Sequence, residues 1–201
     1  MARKRAFDEA AVLRAARDVF WVRGYEATSL GLLQEAMGLS RSSLYETFGG
    51  KRALFARVLE GYLVEVINPW LAPLERQGSG FASLVMYFEE FGQFLRSAPA
   101  GVAGRGCLLL NTATDLAVLD DDARAVVEKY RRRVTAVFLA VLTQAVRDGE
   151  LTAGAEIRRA DLLTAQVIGL FLTSRLNLPA AAALADAVAA EIRTWTPRIA
   201  S

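Results

Sequence analysis

A short run of hydrogen-bond donors follows a tight glycine-containing turn and is the part of the chain best suited to chemistry. The turn reads Gly38-Leu39-Ser40, and the donors after it are Arg41, Ser42, Ser43 and Thr47. At helical spacing these four side chains face outward, where they can donate hydrogen bonds to phosphates or to base edges of DNA. The run predicts nucleic-acid binding. Its alternative interpretation is a pair of amphipathic helices packed in an ordinary helical bundle.

Two further residues stand where helices are expected to begin. Lys51 follows Gly49-Gly50 and opens a helix, and Thr28 is the expected N-cap of a shorter helix upstream. Unpaired backbone N–H groups at a helix N-terminus favour anions, so both residues are suited to contact the DNA backbone. The alternative for Lys51 is an ordinary solvated charge.

Composition argues against most enzyme chemistry. The chain has no histidine, and Cys107 is its one cysteine, so Ser-His sites, intrachain disulfides and zinc clusters of several ligands are excluded. Asp120-Asp121-Asp122 favours the start of a helix over a metal site, because consecutive residues do not face one another on a helix. We expect no enzyme activity, no cofactor and no metal.

Charge is divided unevenly along the 201 residues. Residues 1–57 contain ten Lys and Arg against six Asp and Glu, whereas residues 58–201 contain fourteen against sixteen. A basic beginning suits a polyanionic partner. Arg3, Lys4 and Arg5 form an expected phosphate-contacting arm, with a solvated tail as the alternative.

The elements that must position these donors are helical. Apolar residues recur at helical spacing almost throughout, without strand-like alternation, which predicts an all-α protein of about nine helices. Capping residues and glycines place the first four helices as follows: near Asp8 to Gly24, after Thr28 to Gly38, Arg41 to Thr47, and Lys51 to near Pro69. Two short helices joined by a tight turn, with a bracing helix before them, have the organisation of a helix-turn-helix.

Residues 7–57 resemble the signature of the TetR family of regulators. The resemblance lies in Phe20 to Ser29 and in the run from Gly38 to Phe55. It implies that Tyr45 and Lys51 contact phosphates, that Arg41 to Ser43 reach bases, and that Thr28 steadies the second helix against the DNA backbone. Members usually repress transcription and release DNA when an inducer binds.

The resemblance also implies two domains, a helix-turn-helix DNA-binding domain at residues 1–57 and an effector-binding and dimerisation domain at 58–201. The last two helices are expected to pair two copies, through Leu163, Val167, Leu170, Phe171, Leu184, Val188, Ile192 and Trp195. Aromatic walls with a few polar groups suit a small-molecule pocket. The candidate pocket residues are Phe88, Phe91, Phe94, Cys107, Asn111, Tyr130, Phe138 and Gln166, each of which can alternatively serve as plain core.

Cys107 is the sharpest chemical feature of the second half. It follows Gly104-Arg105-Gly106 and is expected in the first turn of a helix, where the dipole and a nearby cation favour the thiolate. The run from Arg105 to Thr112 resembles a TetR subgroup in which the matching cysteine can sense electrophiles or oxidants. A buried, unreactive thiol is the alternative.

The sequence therefore predicts a homodimeric DNA-binding repressor that responds to a small molecule or to modification of Cys107. An activator on the same fold and an all-α carrier or enzyme remain as alternatives. No apolar stretch is long enough to cross a membrane and no secretory signal pattern is recognised, so we expect a cytoplasmic protein without a membrane partner.

Overall fold

Helices form the framework of residues 7–114 and 121–196, which are the residues that this computed structural model describes. The α-helices are α1 Glu9–Arg23, α2 Leu30–Met37, α3 Arg41–Phe48, α4 Lys51–Tyr62, α5 Asn68–Glu75, α6 Phe81–Ser97, α7 Ala100–Ala103, α8 Leu108–Thr114, α9 Asp121–Arg147, α10 Glu156–Leu176 and α11 Leu178–Arg193. A π-helical segment, Leu63–Ile67, joins α4 to α5 without a break. The predicted all-α class is confirmed.

Serine and aspartate caps set the beginnings of the first three helices. The side chain of Asp8 accepts from the Ala10 N–H at 3.0 Å, and the Ser40 hydroxyl accepts from the Ser43 N–H at 3.1 Å. Ser29, rather than Thr28, caps α2 by accepting from the Leu32 N–H. The prediction of Thr28 as this cap is wrong, because the Thr28 hydroxyl is turned back into the preceding turn.

Helices α1 to α4 enclose an apolar core. Each contributes its inward stripe, and Leu33, Leu44 and Leu54 are completely buried. Gly38 takes the left-handed conformation with φ of 63°, which lets the chain reverse within the turn between α2 and α3. The helix-turn-helix is thus fixed by packing on one side and by a backbone turn on the other.

The helical rod that begins with α4 continues through the π-helical segment and α5 past Pro69, contrary to the prediction that the helix ends near Pro69. Pro69 has no N–H to give to the carbonyl of Glu65, and the backbone bond before it runs from Asn68 to Leu63, five residues back. Pro69 then occupies the first turn of α5, where a missing N–H is tolerated. This continuous rod carries the chain from the first four helices into the second half.

The second half is a bundle in which α6 packs on α11, and α10 packs on both α9 and α11. Arg96 and Asp186 pair across α6 and α11 at 2.8 Å. The helix expected to hold Cys107 in its first turn is observed as Leu108–Thr114, so Cys107 precedes it, and residues 115–120 lie outside the described residues. The last two helices meet at Asn177, which caps α11 by accepting from the Ala180 N–H.

Direct contacts join the two halves around α1. The Arg105 guanidinium lies 5.7 Å from the Trp21 ring centroid. Asp18 pairs with Arg105 at 3.3 Å, so the loop before α8 is tied to the outside of α1. Movement in the second half can therefore reach the first helix without an intervening linker.

Candidate nucleic-acid interface and adjoining cavity

One face of α3 is anchored in the core and the other is open to solvent. Leu44 and Phe48 are buried, whereas Arg41 and Ser42 are exposed. Tyr45 is also exposed, at 46% of its surface, beside the turn into α4. The structure therefore places three of the predicted DNA contacts, Arg41, Ser42 and Tyr45, on the exposed side of α3.

Three serines form a hydrogen-bonded group at the start of α3. The Ser40 hydroxyl donates to the Ser43 hydroxyl at 2.9 Å, and the Ser40 and Ser42 oxygens are also 2.9 Å apart. Ser43 is half-buried, and its N–H serves the cap. Of the three, Ser42 is thus an exposed hydroxyl beside Arg41, while Ser40 and Ser43 hold the helix start in place.

The two cations at this surface have aromatic rather than acidic neighbours. The Arg41 guanidinium lies 5.9 Å from the Tyr45 ring centroid, and Lys51 Nζ lies 4.2 Å from that of Tyr25. Within the described part of the chain, neither cation forms an ion pair. Gly50 offers no side-chain cap to α4, so the N–H groups of the first α4 turn and Lys51 can face an anion together.

The remaining predicted DNA contacts occupy different environments. Thr28 is completely buried and donates to the Gly24 carbonyl at 2.6 Å, so its hydroxyl supports the turn before α2. Thr47 is half-buried on α3. Arg3, Lys4 and Arg5 lie outside the described residues.

A cavity of about 230 Å³ lies where the second half meets α1. Its walls come from α1, from the continuous α4 to α5 rod including the π-helical segment, and from α6, α7, α9 and α10. No charged side chain lines it among the described residues. The lining residues are Trp21, Tyr62, Val66, Ile67, Trp70, Leu71, Tyr87, Phe91, Phe94, Leu95, Val102, Ala103, Gly106, Tyr130 and Phe171.

Aromatic rings pack edge to face along the cavity wall. Trp70 contacts Phe91 and Phe94 with centroids 5.5 and 5.4 Å apart, and Phe171 meets Phe91 at 5.0 Å. Such arrangements are favourable beyond their buried area. These ring contacts give the wall a defined shape.

Three of the eight predicted pocket residues, Phe91, Phe94 and Tyr130, line this cavity. Phe88 and Phe138 are completely buried, with rings stacked at 6.0 Å, and belong to the packed core behind the wall. Sequence reasoning missed the rod residues and Trp21. The missed signal was the apolar spacing that continues beyond Pro69.

The other three predicted pocket residues lie away from this lining. Gln166 is exposed on α10. Asn111 belongs to a separate groove beside α1, where its side-chain amide donates to the Arg105 carbonyl at 3.0 Å and its oxygen accepts from Arg175 at 3.0 Å. Cys107 is completely buried just before α8.

Comparison with known proteins assigns the chain to a family. Residues 12–58 match the family described as "Bacterial regulatory proteins, tetR family", and residues 80–190 match "Tetracyclin repressor-like, C-terminal domain". The chain belongs to the TetR family. Because the helix-turn-helix and the bundle are both matched, the family assignment covers both halves of the protein.

TetR-family relatives include curated regulators and solved structures. The uncharacterized HTH-type transcriptional regulator YezE of Bacillus subtilis (strain 168) is 33% identical over 75% of this chain and 76% of its own. The HTH-type transcriptional repressor ComR of Escherichia coli (strain K12) is 29% identical over 86% and 82%. A cysteine mutant of the TetR family regulator CifR, solved with 26-bp operator DNA, is 30% identical, with a TM-score of 0.78 over 96% and 100%. This TetR-family chain is a DNA-binding transcriptional regulator.

The environment of Cys107 in this TetR-family protein differs from the expected one. Burial raises the pKa of its thiol, and this outweighs the hydrogen bonds from the backbone of Leu110, from Tyr62, from the backbone of Leu109 and from Tyr130, which lower it. The prediction that the helix start favours the thiolate is wrong, because loss of solvent dominates over the helix dipole.

An apolar strip on α10 is open in the TetR-family protomer. We call it the α10 apolar face; its exposed residues are Ile157, Leu162, Ile168, Leu172 and Leu176. Of the residues predicted to pair two copies, Leu163, Val167, Leu170, Val188 and Ile192 are instead buried within the protomer, and this part of the prediction is wrong. These buried residues lie inside the bundle, where α10 packs on α9 and α11, whereas the residues of the α10 apolar face are exposed.

Among the residues described, no helix is long and apolar enough to cross a membrane.

Proposed function

We propose that the chain is a dimeric repressor that binds a palindromic operator and releases it when a small molecule occupies the cavity. The observation that carries the DNA half of this proposal is the open face of α3, where Arg41 and Ser42 are exposed and the Arg41 guanidinium lies against the Tyr45 ring. ComR, a relative over most of the chain, is named as a repressor. The chromosome is the target, so we propose the cytoplasm as the compartment.

Roles on the α3 surface follow from exposure and geometry. Arg41 and Ser42 are exposed at the start of α3, the end of a recognition helix that meets base edges. Tyr45 and Lys51 flank the turn into α4, and we assign them to phosphates. Ser43 and Thr47 are half-buried and are proposed as shorter contacts at the edge of the same surface.

Two heads are needed to read a palindrome, and the α10 apolar face supports a second copy of the chain as its partner. Leu172 and Leu176 are 58% and 82% exposed, and α11, which packs on α10, also has exposed alanines. Large apolar side chains in one strip, next to small ones that allow close approach, favour a four-helix interface across a two-fold axis.

Noncovalent binding of a ligand in the cavity is a better-supported cause of release from DNA than modification of Cys107. The thiol is completely buried and its pKa is raised, so little thiolate is available to an electrophile in this conformation. The cavity, in contrast, already has a shaped wall. Reaction at Cys107 would require the surrounding helices to open first.

The test is selection of bound duplexes from a random pool by the purified protein, followed by placement of the selected sequence in front of a reporter gene. A palindrome with half-sites one helical turn apart, or a multiple of that, is expected. Lower reporter output in cells containing the protein supports repression, and higher output identifies an activator. A pool without enrichment at low salt would overturn DNA reading by α3.

A further inference from the structure

A second recess, which we call the α1–α8 groove, lies between the two halves of the chain and has a volume of about 210 Å³. One side is the end of α1 with the turn after it, residues 20–25, together with Phe55 of α4. The other side is formed by α8 and by Arg175 of α10. Two arginines, Arg23 and Arg175, line it, and no acidic residue does so in the part of the chain that the structure describes. The lining is therefore positively charged.

Contacts with neutral groups hold Arg175 in place at this groove. Its guanidinium donates to Asn111 Oδ1 at 3.0 Å, and the Asn111 amide donates in turn to the Arg105 carbonyl at 3.0 Å. Gly106, with φ of 70°, leaves space for the Arg175 side chain, because a Cβ there would lie 2.9 Å from its Cγ and Cδ. The side chain is thus positioned while its charge is not neutralised.

Other arginines near α1 already have acidic partners. Arg105 pairs with Asp18 at 3.3 Å, and Arg17 pairs with Glu65 at 2.9 Å. Among the described residues, no carboxylate pairs with the two arginines of the groove. A cation that neutral groups hold in position is prepared to bind an anion with little loss of side-chain freedom.

The hydroxyl groups of the groove are already used as donors. Those of Thr112 and Thr114 donate to backbone carbonyls of α8 at 2.9 and 2.8 Å. A ligand is therefore offered mainly guanidinium N–H groups, and the planar fork of a guanidinium matches the two oxygens of a carboxylate. Phe20, Tyr25 and Phe55 add apolar surface beside these donors.

We propose that the α1–α8 groove binds a small organic carboxylate, with Arg175 and Arg23 as its cationic partners. This site is separate from the apolar cavity and goes beyond the proposed function. Arg23 belongs to α1 and Arg175 to α10, so one carboxylate contacts the DNA-binding half and the bundle together. Tyr25 also lines the groove, and Lys51 Nζ lies 4.2 Å from its ring centroid. The occupant is thus one side chain away from a proposed phosphate contact.

The test compares benzoate with benzamide in a ligand-detected NMR titration of the full chain. The two probes have nearly the same size and shape, but only benzoate is charged at pH 7.5. We expect benzoate to bind at least about tenfold more tightly, the value of hydrogen bonds to a charged group. Equal affinities, or no binding of benzoate, would overturn the proposal.

Arg175→Gln removes the charge and keeps a side-chain amide. Benzoate affinity should fall at least about tenfold in this variant, and benzamide affinity should change little. Arg147→Gln is the matched control, because Arg147 is also exposed, lies in the last turn of α9 and forms no ion pair among the described residues. It should leave benzoate binding unchanged. Equal losses in the two variants would show an effect of net charge alone and overturn the site.

Two further variants test the groove without changing Arg175. Arg23→Gln removes the cation that α1 contributes, and benzoate affinity should again fall about tenfold. Thr114→Asp places a carboxylate at the exposed edge of the groove, where it competes with the ligand for the guanidinium groups, and a similar loss is expected. Melting temperatures without ligand should stay close to that of the wild-type protein. Undiminished benzoate binding in both variants would place the anion elsewhere and overturn the proposal.

Discussion

The DNA-facing half and the cavity-bearing half use helical packing in opposite ways. In the first, α1 to α4 bury apolar residues such as Leu33, Leu44 and Leu54, and the chemistry lies outside on α3. In the second, the bundle leaves a space of about 230 Å³ inside and an apolar face outside. The buried core holds α3 in place, whereas the cavity leaves room for a ligand to change the structure.

The difference assigns separate tasks to the two halves. The Ser40 cap and the buried Leu44 anchor α3 and so orient Arg41 and Ser42, as recognition of a base sequence requires. The cavity wall includes Trp21 from the first half, so the two tasks meet at α1. The predictions below separate dimer formation, phosphate contact and burial around the cavity.

The largest effect is expected from placing a charge on the α10 apolar face. Leu172→Asp brings like charges toward each other across the proposed two-fold axis, which costs several kcal/mol. We expect dimer association to weaken by roughly a hundredfold or more, with operator affinity lost in parallel. Analytical ultracentrifugation measures the association.

Met86→Asp is the matched control, because Met86 is 53% exposed but lies on α6. It should leave the dimer unchanged. A Leu172→Asp protein that remains a dimer would remove the α10 apolar face as the interface.

Loss of a phosphate contact should have the next largest effect. Lys51→Gln removes one counterion-releasing charge from each of two heads, so operator affinity should fall by roughly fiftyfold at about 0.1 M salt. The slope of log affinity against log salt should become shallower by about two. Fluorescence anisotropy over a salt series measures both quantities.

Lys129→Gln is the control for net charge, since Lys129 is exposed on α9, far along the chain from α3. It should change the slope little. Equal slopes for Lys51→Gln and the wild-type protein would contradict a phosphate contact at the start of α4.

A smaller effect is expected from the buried thiol. The pKa of Cys107 is raised in the folded protein, so the folded state keeps its proton at a pH where the unfolded thiol loses it. The free energy of unfolding should therefore fall as pH rises above the ordinary thiol value of about 8.5, by at most about 1.4 kcal/mol per pH unit. Urea unfolding between pH 7.5 and 9.5 measures this slope.

Cys107→Ala should have the shallower pH dependence over that interval. The buried tyrosines Tyr62, Tyr87 and Tyr130 also have raised pKa values, but their unfolded forms titrate near pH 10 and contribute above this interval. If the free energy of unfolding of both proteins fell equally with pH, burial of the Cys107 thiol would not be the cause of the fall.

The DNA-reading face could be predicted from sequence because local signals specify it. Ser40 caps α3, Gly38 allows the turn, and the apolar spacing sends Leu44 inward, which leaves Arg41 and Ser42 outside. All of these signals lie within a dozen residues. The all-α fold was predictable for the same reason.

The cavity was harder to predict because it is defined by distant segments. Trp21, Trp70 and Phe171 come from three parts of the chain, and spacing along one helix cannot show that their packing leaves a gap. The sequence also could not show which of two apolar stripes on α10 is buried. Leu163 and Leu172 are equally apolar, and only the neighbouring helices decide which of them is covered.

The central claim, that the open face of α3 reads DNA sequence, is tested most directly by Arg41→Ala on the selected palindrome and on single-base variants of it. Wild-type protein should discriminate against a substitution at the contacted base, and Arg41→Ala should lose about tenfold of that discrimination while retaining its binding to unrelated DNA. Equal discrimination by the two proteins at every position would contradict base reading by Arg41 and, with it, the assigned orientation of α3 on the operator.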